Sequence, residues 1–142
     1  MKNPTETIGN LIEHQSICFI SSIDENGYPN TKAMLPPCNR DGIKIFYWHT
    51  NSPSMRIKQY KANPKACIYF YDKRFFRGVM LKGTMEVLED KKTKKEIWKD
   101  EYSKYYNGGM NGGDFIILKF TAKEGRYYSN FHSEDFLVDM FP

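Results

Sequence analysis

"HTNSPSMRIKQYKANPKACIYF", residues 49–70, decides the reading of this chain. Ser52-Pro53 marks a helix start, with Ser as N-cap and Pro at the first helical position. Asn63-Pro64 marks its end. The helix so defined, 53–62, is short and lies between two strand-like runs. Arg56 falls in its first turn, where a cation opposes the helix dipole at a cost of about 0.3–1 kcal/mol. A bound anion would reverse that sign. First-turn N–H groups, the Ser52 and Ser54 hydroxyls and the Arg56 guanidinium would then converge on a phosphate. The plainer alternative is a solvated basic helix whose Arg56, Lys58 and Lys61 all face water.

Strands flank this helix on both sides. "ICFISSI" (17–23), "YPNTKAML" (28–35) and "IKIFYWHT" (43–50) precede it. The first two are joined by a hairpin centred on Asn26-Gly27, and "PPCNRDG" (36–42) reads as a turn. "ACIYFYD" (66–72) and "FRGVMLKGTMEVLE" (76–89) follow as a hairpin, with Gly78 and Gly83 as candidate bulge or corner positions. "DFIILKF" (114–120) and "GRYYSNF" (125–131) read as a last pair of strands. Asn3, Pro4 and Glu6 open a helix over 4–14. Asp90 caps another that runs to about Tyr106, with Ile97, Trp98, Tyr102 and Tyr105 as its stripe. The expected fold is mainly β with α: a six- to seven-stranded antiparallel split β-barrel with short flanking helices. Residues 1–142 are expected to form one domain.

Composition narrows the function classes. With 40% apolar and 27% charged residues, the chain has an ordinary globular balance. No apolar run approaches the roughly 18 residues of a membrane span, and the start lacks a signal-peptide core. A cytoplasmic protein without membrane contact is expected. A net charge of +4 is too small to imply nucleic acid, but suits a small anionic ligand. Cys18, Cys38 and Cys67 are odd in number and lack CxxC spacing, which argues against a disulfide framework. His14 and His132 stand at no ligand spacing from His49, so no metal site is expected. No nucleophile–base order stands out, so no catalytic side chain is assigned.

The ordered set formed by "KAML" (32–35), "HTNSPSMRIKQYKANPKACIYF" and "GVMLKGTMEV" (78–87) resembles the flavin-binding core of the pyridoxamine 5'-phosphate oxidase-like split barrels. The general-stress-protein branch is the most similar. The resemblance implies a homodimer with FMN in clefts between the subunits. It places Lys32 near flavin and phosphate, and Ala33, Met34 and Leu35 beside the flavin ring. His49 and Thr50 would meet the ring through their backbone, Asn51 and Met55 would belong to the cofactor-binding set, and Ser54 and Arg56 would hold the phosphate. Met55 stands where the oxidases have a first phosphate-binding arginine. Gly78 stands where they have a flavin-contacting glutamine, and their C-terminal substrate-phosphate segment is not matched. These departures argue against pyridoxamine phosphate as substrate.

The function implied is an FMN-dependent oxidoreductase that takes electrons from NADH or NADPH and passes them to a small-molecule acceptor. A non-catalytic flavin carrier or sensor is the alternative. A barrel this small is filled by its own side chains, so the ligand must lie in an outer cleft. Covering the second face of a flat ring calls for a second subunit. The long run 76–89, with Val79, Met80, Leu81 and Met85, is the expected interface.

Overall fold

The structure is a computed structural model that describes Met1 and residues 3–140; the last residues of the expected domain, Phe141 and Pro142, and Lys2 lie outside the described residues. Helix α1 (Pro4–Glu13) starts as expected, with the Asn3 side chain accepting from the Glu6 N–H. Eight strands follow: β1 (Cys18–Ile23), β2 (Pro29–Met34), β3 (Asn39–Asp41), β4 (Ile45–Asn51), β5 (Lys65–Asp72), β6 (Arg77–Leu88), β7 (Phe115–Ser129) and β8 (His132–Leu137). Helix α2 (Met55–Ala62) separates β4 from β5, and α3 (Lys91–Ile97) follows β6.

All strands pair antiparallel in one sheet of order β2-β1-β5-β6-β7-β4-β3, with β8 beside the far half of β7. The sheet curls almost into a barrel. Strands β5 and β4 are three steps apart, about 14 Å in a flat sheet. Yet Phe70 of β5 and Phe46 of β4 have ring centroids 5.9 Å apart. The enclosed core takes Ile20, Phe46, Ile68, Val79, Leu81 and Phe120 from five strands, and α1 plugs it with Ile8, Leu11 and Ile12. The curl stops short of closure: β2 and β3 remain the sheet's two edges. Only side chains span the split, through the Trp48 Nε1–H to Leu35 carbonyl bond of 3.1 Å.

Four expectations are corrected. Strand β6 is central, between β5 and β7, and Val79, Leu81 and Met85 lie inside the core. They cannot form a subunit interface; only Met80 alternates outward. The expected last strand pair is one 15-residue strand, β7, whose partner is β8. The ladder passes the apparent turn at 121–124 through a bulge opposite Lys82/Gly83. A Cβ on Gly83 would lie 1.9 Å from the Thr121 carbonyl oxygen, so only glycine lets the strands approach there. The helix expected from 90 to 106 stops at Ile97, because Trp98 is extended (ψ 136°), and a 3-10 turn covers Asp100–Lys104. Residues 39–41 of the expected turn form β3.

Candidate functional site

The cleft lies at the split. About 420 Å³ of space is bounded by residues 33–36 at the end of β2, residues 48–51 of β4, Arg56 of α2, and Cys38, Tyr105 and Tyr106. Strand β2 pairs only with β1, and β4 beyond Tyr47 pairs only with β7. Alternate N–H and C=O groups on the two facing edges are therefore unpaired. Such edges bind a flat, polar-rimmed ligand through main chain and leave apolar side chains for its faces.

One wall carries a half-buried cation. Helix α2 is fixed on β1 by the Tyr60 hydroxyl, which donates to the Ser21 carbonyl at 2.9 Å, and by a Ser22–Gln59 side-chain bond. Its N-cap is Ser54, not Ser52: the Ser54 hydroxyl accepts from the Arg56 N–H at 3.2 Å. Ser52 instead gives its own N–H to the Asp114 carbonyl and lies in a turn closed by Ser54 N–H to Asn51 O. Arg56 donates from Nη2 to the Thr50 hydroxyl at 3.2 Å, while its Nε is buried without a partner. Among the described residues no carboxylate pairs with it. Burial pushes its pKa down.

The opposite wall is aromatic. His49 lies 4.1 Å from Tyr102, centroid to centroid, and its Nδ1 is 2.7 Å from the Tyr106 hydroxyl. Burial, then the Lys99 ammonium, push the His49 pKa below its ordinary value. Burial raises that of Tyr106, with the Asp114 carboxylate adding to the effect. Cys38 is pushed up to about 11 by burial, so its thiol stays protonated at neutral pH.

Seven of the ten expected site residues meet here: Ala33, Met34, Leu35, His49, Thr50, Asn51 and Arg56. Three do not line the cleft. Lys32 stands opposite Ile20 and is exposed. Met55 is 70% exposed, and Ser54 is engaged as the helix cap. Sequence reasoning missed Trp48, Cys38, Tyr105 and Tyr106. Tyr105 was visible only as part of a stripe, and Tyr106 only as the end, of a helix that stops earlier than expected.

The sequence pattern of the family described as pyridoxamine 5'-phosphate oxidase matches residues 4–129. This chain belongs to the pyridoxamine 5'-phosphate oxidase family. Among curated relatives, pyridoxine/pyridoxamine 5'-phosphate oxidase of Legionella pneumophila is 31% identical over 74 residues, 52% of this chain and 34% of that one. The chain thus spans about a third of the length of that relative. A Clostridium acetobutylicum protein related to general stress protein 26 of B. subtilis has a solved structure with 37% identity and a TM-score of 0.87. The alignment covers 98% of this chain and 97% of that one. A heme-binding protein of Mycobacterium smegmatis shares the fold alone, at 13% identity and a TM-score of 0.77, over 98% of this chain and 60% of that one. A Cβ on Gly78 would lie 2.2 Å from the Tyr69 hydroxyl oxygen, so no side chain fits there while Tyr69 keeps its place.

Proposed function

We propose that this chain is a single-domain cytoplasmic flavoprotein that binds FMN in the cleft and passes electrons from NADH or NADPH to a small-molecule acceptor. The carrying observation is Arg56: a half-buried side chain with a buried, orphaned Nε and no carboxylate partner among the described residues, at the N-terminal turn of α2. A buried N–H without a partner costs about 1–3 kcal/mol, and a phosphate would remove most of that cost. The fit extends beyond the phosphate. Unpaired strand edges at 33–35 and 48–51 suit the polar rim of a ring, and Met34, Leu35 and Trp48 suit its apolar face. Thr50 orients the guanidinium. Ser54, with its hydroxyl proton still free to be donated, flanks the phosphate position, and Lys32 and Met55 lie outside it.

When bound, FMN supplies hydride and single-electron chemistry through its ring. The chain's own residues bind, orient and exclude water. Cleft-lining Trp48 and Tyr106 are buried and give the site low polarity. Pyridoxamine phosphate is not the substrate in this reading, since Gly78 offers no side chain to contact a ring.

The acting form is a homodimer. The outer sheet face carries Phe19, Tyr69 and Met80 in one cross-strand row, and Tyr71, Gly78 and Tyr128 in the next. Phe76 packs edge-on against both Tyr71 and Tyr128. Such a contiguous aromatic face is what a protein surface covers with a partner.

The test is the absorption spectrum after FMN is added and the excess removed, followed by NADH and NADPH oxidation by the loaded protein. Retained flavin bands with turnover support the enzyme. Retained bands without turnover mean a carrier or sensor. Uptake of hemin but not FMN would overturn the reading.

A further inference from the structure

The aromatic wall of the cleft contains a hydrogen bond whose direction can be decided. Tyr106 is 4% exposed, and its hydroxyl lies 2.7 Å from His49 Nδ1, the only polar contact it makes among the described residues. A phenol has one proton to give. If Nδ1 carried a proton and donated it, the phenol proton would have no acceptor within hydrogen-bond distance among the described residues, since the nearby Asp114 carboxylate makes no bond to it, at a cost comparable to a lost hydrogen bond. Tyr106 therefore donates and Nδ1 accepts. A neutral imidazole that accepts at Nδ1 carries its proton on Nε2.

Doubly protonated His49 would meet the same objection, and its surroundings add another. The ring faces Lys99 from the segment after α3, the phenols of Tyr102, Tyr105 and Tyr106, and Phe115 of β7. No carboxylate bonds to it among the described residues. Among those residues no group bonds Nε2 either, and the ring borders the cleft.

We infer that Tyr106 fixes His49 in the Nε2–H tautomer, and that this N–H is a neutral hydrogen-bond donor that recognises an acceptor atom on the ring system held in the cleft. The inference rests on the proposed ring ligand. It adds a side chain where the sequence pattern offered only backbone at position 49. Tyr106 acts as a positioning residue, and His49 as the group that touches the ligand. The chemical class recognised is a planar heterocycle that bears a carbonyl oxygen or an unprotonated ring nitrogen.

The first test needs no ligand and no variant. Long-range ¹H–¹⁵N correlation on the labelled full chain reports the tautomer of each histidine. His49 is expected in the Nε2–H form at neutral pH, and the Nδ1–H form would overturn the proposal. Tyr106→Phe should then turn His49 into a mixture of tautomers; an unchanged tautomer would show that Tyr106 does not set it. The second test titrates FMN and riboflavin, both of which carry the ring. Loss of one neutral hydrogen bond in His49→Leu should weaken both by roughly 3- to 10-fold. His49→Gln, which restores an N–H donor, should recover part of the loss. Equal affinity in wild type and His49→Leu overturns the contact even if the tautomer is as expected. If wild type binds neither flavin, the flavin reading fails while the tautomer result still stands on its own.

Discussion

Arg56→Ala separates a phosphate site from a solvated basic helix. In the free protein the guanidinium makes one neutral bond to Thr50, leaves Nε buried without a partner, and sits at the positive end of α2. Removing it loses about 1 kcal/mol of hydrogen bond and some packing of the side-chain stem. It also relieves burial of an unpaired charge and the opposing dipole, about 0.3–1 kcal/mol for the dipole alone. These contributions oppose one another, so ligand-free stability should change by no more than about 1 kcal/mol. With FMN present, the charge-assisted contact is worth about 1.5–3 kcal/mol. At 1.4 kcal/mol per decade, FMN affinity should fall roughly 10- to 150-fold. Riboflavin lacks the phosphate and should bind wild type and variant alike. Lys58 is exposed two residues further on, and Lys58→Ala should cost no more than about threefold. Flavin fluorescence quenching measures these affinities, and urea unfolding measures stability. An FMN affinity untouched by Arg56→Ala would refute the reasoning. A riboflavin affinity that falls as far as that of FMN would place the effect in the ring site instead.

Light scattering at micromolar concentration should give twice the chain mass, and Tyr71→Asp with Phe76→Asp on the outer face should give monomer; a wild-type monomer would remove the dimer. Asp72 is 1% exposed and bonded by Arg74 and Arg77, so Asp72→Ala should cost about 2–4 kcal/mol in urea unfolding, the lower end reflecting the 44% exposure of Arg74. Hydrogen bonds from Arg74 and then Arg77 hold the Asp72 carboxyl well below the usual range. Its contribution is therefore present above about pH 4 and lost as pH falls below that value, and the acid limb of the variant should be flatter. Gly83→Ala should destabilise by about 2–4 kcal/mol or prevent folding, since its Cβ would collide with the Thr121 carbonyl; a neutral effect would mean that the bulge can open. Turnover of pyridoxamine 5'-phosphate should stay far below roughly 1 per second, and an ordinary enzymatic rate would show that position 78 is dispensable for that chemistry.

What the sequence made legible was what local rules control. The strand-like runs at 18–23 and 66–72, the Asn26-Gly27 hairpin and the capped start of α1 all act within a few residues, and the structure follows them. The errors fall where distant strands decide. The stretch 121–124 breaks the apolar run with Lys123 and Glu124, but pairing with β6 and a bulge at Gly83 carry the strand through it. The apolar stripe of 97–105 continues at helical spacing across Trp98, yet that residue turns extended to pack edge-on against Phe115, 4.9 Å away, in the second core cluster. Burial of the indole outweighs the small helix propensity at stake. Strand 76–89 was apolar because it is the middle of the sheet, not because a partner covers it.

The same distinction holds inside the cleft. Residues 33–35 and 49–51 could be placed from the order of their segments, because each run is continuous on one strand. Tyr106 could not, since 57 residues separate it from the His49 nitrogen to which it bonds. On the proposed reading that bond gives the cleft a second donor. Arg56 carries a buried Nε without a partner at one wall, and the inferred Nε2–H of His49 lies at the other. Two such donors beside one cleft are what a ligand with an anionic group and a ring acceptor would meet. A bound anion would also give the placement of Arg56 against its own helix dipole a physical reason, since it reverses the sign of that local cost.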